Sequence, residues 1–195
     1  MGLISTRSAT ERYKPRSSEV KRKMDTRDLS LAVFFAALYA VLVVVLAPIS
    51  FGPVQLRVAD VLIPLTALFG WPIVAGVTVG CFVGNAYFAL GPIDVVAGPI
   101  ANLIAALMIL LLRRRQLFAC IVGALPVGII VGGYLWWFFP PPESLSFLEP
   151  WAAMIVSLTI SSFIVISVIG YLLLVALSQP GIVEPLKSRG LKILK

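Results

Sequence analysis

The sequence predicts an all-α integral membrane protein: a six-helix transmembrane bundle whose N- and C-termini both lie on the cytoplasmic side. Three observations carry this. Hydrophobic residues make up 59% of the 195, mean hydropathy is +1.00 and 13% are charged, far from the balance of a water-soluble domain. Six apolar stretches follow one another at 29–47, 56–70, 72–90, 93–112, 117–139 and 151–178, most of them near the ~20 residues that cross a hydrocarbon core. Fifteen of the sixteen Lys and Arg fall in three places: eight before residue 28, Arg113 to Arg115, and the group Lys187, Arg189, Lys192 and Lys195. Six spans put all three clusters inside, as the positive-inside rule demands, whereas five or seven would send one outside.

The chain divides accordingly into a basic leader (1–28), a membrane domain (29–178) and a basic tail (179–195). The leader is polar and lacks the apolar core and cleavage site of a signal peptide, so it reads as a disordered cytoplasmic segment ending at Asp25-Thr26-Arg27-Asp28. The net charge of +7 follows from topology and does not point to nucleic acid; anionic lipid heads are the ordinary partners of such basic ends. Cys81 and Cys120 lie within apolar spans, and with no CxxC and no His neither a disulfide nor a metal site is expected.

In the first span Ala32, Ala36 and Ala40 recur every four residues, and small residues at that spacing let a second helix approach to backbone contact. The partner is either a helix of the same chain or a second membrane protein. The second span is short, and Pro64 interrupts it, so it is expected to be tilted, broken or partly re-entrant. Gly76, Gly80 and Gly84 repeat the four-residue ladder in the third span, as an internal groove for a neighbour. Asn85 follows, and an amide in hydrocarbon needs a partner, so it should face inward. Gly91-Pro92-Ile93-Asp94 opens the fourth span, with Asp94 suited either to cap the helix or to meet a ligand; Asn102 lies deeper on it. The fifth span ends in Tyr134-Leu135-Trp136-Trp137-Phe138-Phe139, an aromatic belt or a stacking platform. The sixth carries Ser157, Thr159, Ser161, Ser162 and Ser167, each of which can bond back to its own helix, so they are weak evidence for a site.

Arg57 is the one basic residue that this topology keeps away from the cytoplasm. Asp60 follows three residues later, on the same face of a helix. The pair either neutralises itself or binds a ligand, and ionisable groups in a span usually face a cavity. With Gln55, Asn85, Asp94 and Asn102 it forms the candidate substrate site, placed near the external rim. Carboxylate and amide groups suit the alternating donors and acceptors of a purine-like edge. Catalysis finds no support: His is absent, as are HExxH, GxGxxG and a P-loop, and Asp60 and Asp94 are expected near the outer surface, not paired in mid-membrane as an aspartyl protease requires. Any ATP-driven step therefore needs another chain, and no cofactor is expected.

The run Ile49-Ser50-Phe51-Gly52-Pro53-Val54-Gln55-Leu56-Arg57-Val58-Ala59-Asp60 resembles the external segment of the QueT family, as does Gly91-Pro92-Ile93-Asp94-Val95-Val96-Ala97-Gly98 with its following Ala-rich helix. The resemblance covers residues 29 to about 178. It implies a substrate-binding S component of an energy-coupling factor (ECF) transporter, in the cell membrane, without enzymatic activity of its own. Such a subunit captures a queuosine-precursor 7-deazaguanine base from outside and docks on an ECF transmembrane coupling protein with two ATPase subunits. Ala32, Ala36 and Ala40 would then meet the coupling protein. The family pattern has Glu where this chain has Asp60, one methylene shorter. An S component for a different vitamin or heterocycle keeps the class; a self-contained secondary transporter would show inverted repeats, and the halves of this chain do not match.

Overall fold

The computed structural model describes residues 25–50, 56–88 and 90–194. Among them the chain is helical without strands, and five helices are long and apolar enough to cross a membrane. In chain order the elements are α1 (Thr26–Val45), α2 (Val58–Phe69), α3 (Trp71–Phe88), α4 (Pro92–Leu111), α5 (Gln116–Leu135), α6 (Pro150–Leu177) and α7 (Pro180–Ser188).

α1 starts within the predicted leader. Asp25 accepts from the Thr26 N–H at 2.8 Å while its own N–H donates to Asp28 at 3.3 Å, a reciprocal cap that fixes the first turn. The rest of the leader, 1–24, lies outside the described residues.

α2 is the element that departs from a regular span. It is wound as a 3₁₀ helix over Val58–Leu65 and turns α-helical only for Thr66–Phe69. Pro64 has no N–H to give to an α-type bond, and the tighter winding accommodates that loss. At ~2.0 Å per 3₁₀ residue and ~1.5 Å per α residue the element is ~22 Å long, short of a ~30 Å hydrocarbon core. It is buried on nearly every side, from Ala59 to Phe69 apart from Val61. Gly70, at φ +73°, reverses the chain into α3.

Packing of the long helices is set by glycines. A Cβ on Gly76 would stand 2.8 Å from the Ala32 carbonyl oxygen, and one on Gly80 2.6 Å from that of Ala36. The ladder is thus the predicted internal groove, filled by α1. The same seam takes up part of the alanine row: Ala32 is buried in it and Ala36 meets Gly80 through its backbone, while Ala36 and Ala40 keep part of their surface open. α5 meets α6 the same way, Gly128 against Thr159 and Gly132 against Ile155. α6 widens into a π-helix over Phe163–Gly170, where α2 packs on it and Gly170 faces the Pro64 ring. The tail folds back: the Leu194 N–H donates to the Leu68 carbonyl at 2.8 Å, and Lys192 pairs with Asp28 at 3.1 Å.

Candidate functional site

Four helices aim polar side chains into one buried core. Asp60, fully buried in the first turn of α2, accepts from the Tyr39 hydroxyl of α1, from Arg57 Nε at 3.1 Å and from Asn102 Nδ2 at 3.3 Å. The Tyr39 oxygen itself accepts from Asn102 Nδ2 at 2.7 Å and lies 3.5 Å from Arg57 Nη2. Arg57 also reaches Cys81 Sγ of α3 at 3.4 Å. An ionised pair in a low-dielectric interior is tolerable only with such additional bonds. The mutual salt bridge is present, and the structure makes it the centre of a network that includes Asn102.

This network lies in the interior of the bundle. Asp60 is bonded to Asn102, ten residues into α4 and hence ~15 Å along it from the Asp94 end. The first turn of α2 is already buried where it enters the bundle. An aspartyl pair is still not formed, since Asp60 and Asp94 bond to different partners.

Asp94 belongs to a second, adjoining group. The α4 cap is Gly91, with no side-chain cap bond, and Pro92 occupies the first turn, so Asp94 does not act as the cap. Its carboxylate accepts instead from the Tyr134 hydroxyl of α5 at 2.7 Å, while Asn85 Nδ2 donates to its backbone carbonyl at 2.9 Å. Gly98 joins the groups: a Cβ there would stand 2.4 Å from Asn85 Nδ2 and 3.6 Å from Cys81 Sγ. Only a residue without a side chain leaves room for the Asn85 amide.

Two acceptors in this core, Asp94 Oδ2 and Asn102 Oδ1, have no hydrogen-bond partner among the described residues. A buried polar atom left unpaired costs about 1–3 kcal/mol. Asn102 cannot relieve its own by rotation, because its nitrogen already serves Tyr39 and Asp60. Both atoms belong to α4, eight residues and hence ~12 Å apart along its axis.

Of the residues expected from sequence, Arg57, Asp60, Asn85, Asp94 and Asn102 come together, and Gln55 lies outside the described residues. Tyr39 and Tyr134 were missed. Tyr39 shares the buried face of α1 with Ala32, Phe35 and Val43, a helical spacing visible in the sequence, and a phenol in an apolar span needs a partner. Tyr134 was absorbed into the aromatic run, yet it is 4% exposed where Trp137 is 61%. Among the described residues no group of acidic, His or Cys side chains is arranged to hold a metal.

The model of a family described as QueT transporter matches residues 29–179. The chain is 34% identical over 85 residues to the queuosine precursor transporter QueT of Lactococcus lactis subsp. cremoris (strain MG1363), a match covering 43% of this chain and 49% of that protein. The chain thus spans about half the length of the curated relative it matches. No solved structure matches it. With the family match running from α1 to the end of α6, over five helices long and apolar enough to cross a membrane, the chain belongs to the QueT transporter family.

Proposed function

We propose that the chain is the substrate-binding S component of an ATP-driven ECF importer and captures a queuosine-precursor 7-deazaguanine base. The observation that carries this is the pair of unpartnered acceptors, Asp94 Oδ2 and Asn102 Oδ1, in the polar core. A 7-deazaguanine presents N–H donors on both its six- and its five-membered ring, so a flat base lying along α4 offers hydrogens to acceptors at either end. Arg57, Asp60 and Asn85 serve mainly as a frame: Asp60, braced by Arg57, holds Asn102 directly and through Tyr39, and Asn85 holds the first turn of α4. Gln55 is proposed to contribute from the connection before α2.

In this reading the bundle has six membrane segments with both termini cytoplasmic, α2 being the short one, and the Asp94 end opens outward. A transmembrane coupling protein with two ATPase subunits drives reorientation of the whole subunit. Ala40 and the part of Ala36 left open are the members of the alanine row available to that coupling protein, since α3 already packs on Ala32 and on the Ala36 backbone.

The test is equilibrium binding of a 7-deazaguanine precursor base to the purified protein in detergent, with guanine and a vitamin panel as controls. Asp94→Asn is nearly isosteric and retains an oxygen for Tyr134, but it turns the open acceptor into a donor. It is expected to weaken binding by about 10- to 100-fold, the loss of one charge-assisted hydrogen bond, without changing the melting temperature by more than a few degrees. Absence of binding by folded wild-type protein would overturn the cargo, and unchanged affinity in Asp94→Asn would overturn the site.

A further inference from the structure

The other end of α4 carries a second feature that substrate capture does not use. About 30 Å along α4 from Asp94, Arg113, Arg114 and Arg115 form a single 3₁₀ turn leading into α5. With Phe118 of α5 and Tyr171 of α6 they line an open groove of about 630 Å³. Arg114 and Arg115 are exposed and Arg113 half-buried. Among the described residues none of the three pairs with a carboxylate; the ion pairs there are Arg57–Asp60 and Lys192–Asp28.

What lies beside the guanidinium groups decides between ligands. Leu111, Leu117 and Phe118, flanking the turn on both sides, are 81%, 48% and 51% exposed, and they belong to helices that read as membrane-spanning. The surface is therefore cationic at the level where a span ends and hydrocarbon-like immediately next to it. A soluble phosphate would use only the arginines. A phospholipid uses both parts, since guanidinium groups match phosphate oxygens in a two-bond geometry and acyl chains cover apolar side chains. Basic recesses between spans at the cytoplasmic boundary suit anionic head groups, and a tyrosine such as Tyr171 suits the same depth.

We propose that this groove binds one anionic phospholipid, its phosphate held by Arg113, Arg114 and Arg115 and its acyl chain laid along Phe118. The proposal is independent of the cargo. It is tested by native mass spectrometry of the full chain released from nanodiscs of phosphatidylcholine and phosphatidylglycerol in equal parts. The expected result is preferential retention of one phosphatidylglycerol, reduced roughly tenfold in the double variant Arg114→Gln, Arg115→Gln and reduced also in Phe118→Ala. The tail variant Lys187→Gln, Lys192→Gln, which removes the same charge elsewhere, should keep it. Glycerol phosphate at millimolar concentration should not displace the lipid. The proposal is overturned if wild-type protein shows no preference, if the arginine variant retains the lipid as well as wild type, if the tail variant loses it equally, or if glycerol phosphate displaces it.

Discussion

Asp60→Ala is expected to destabilise the folded protein by about 3–5 kcal/mol, the penalty of leaving one partner of a buried ion pair uncompensated. The variant removes the acceptor for Tyr39, Arg57 and Asn102 together, and the side chain of Arg57 is only 14% exposed, so water cannot readily take the place of the carboxylate. The measurement is thermal unfolding in a fixed detergent, paired with the double variant Arg57→Leu, Asp60→Leu. Removing both charges should recover most of the lost stability, because an apolar pair of similar volume has no desolvation to offset. Binding of the proposed base should stay impaired in the double variant, because Asn102 has then lost one of the two partners that orient it. A single variant that melts with wild type would show that Arg57 finds compensation elsewhere and that the network is not the structural centre drawn here.

Gly128→Val should be comparably damaging through packing alone. A Cβ at Gly128 would stand 2.4 Å from Thr159 Oγ1 and 2.5 Å from Thr159 Cα. The second contact is with backbone, so no rotamer change relieves it, and α5 must separate from α6. Overpacking of this kind costs about 1–3 kcal/mol and more where main chain must move, and here the upper end is expected. Gly133 supplies the internal control, since nothing lies within 4 Å of a Cβ built there. Gly133→Ala should be neutral or stabilising by up to about 1 kcal/mol through helix propensity. Equal effects of the two variants in thermal unfolding would refute the close-contact account of the α5–α6 seam.

How much of this was legible beforehand depended on how local the cause was. Long apolar runs and glycine ladders act within one helix, and α1, α3, α4, α5 and α6 appear where hydropathy puts them, within a few residues. Asp25 and Asp28 pulled the start of α1 back into the leader through a cap that the charge count had masked. α2 was recognisable as irregular from Pro64, but its full burial depends on α1, α4 and α6 surrounding it, and no local pattern encodes that. The same holds at the site. Arg57 and Asp60 stood out because charge is rare in such a chain, and Asn85, Asp94 and Asn102 because amides and acids are. Tyr39 and Tyr134 did not, since tyrosine is ordinary in a membrane protein and only the third dimension separates a belt residue from one aimed at a carboxylate. Asp94 illustrates the converse: its position near a helix start suggested a cap, and Tyr134 from another helix claimed it.

Asn102 has a consequence beyond its own contacts. An amide is nearly symmetric in shape and opposite in chemistry at its two ends, so a half-turn of the side chain exchanges giver and receiver of a proton. In this chain that choice is made by Tyr39 and Asp60, which accept from the nitrogen and so leave the oxygen facing the other way. The polarity of the proposed recognition surface is therefore inherited from α1 and α2, by residues that need not touch the cargo. A relative that had come to prefer a molecule with lone pairs along that edge would show it by a change at the tyrosine or the aspartate, with the asparagine itself untouched.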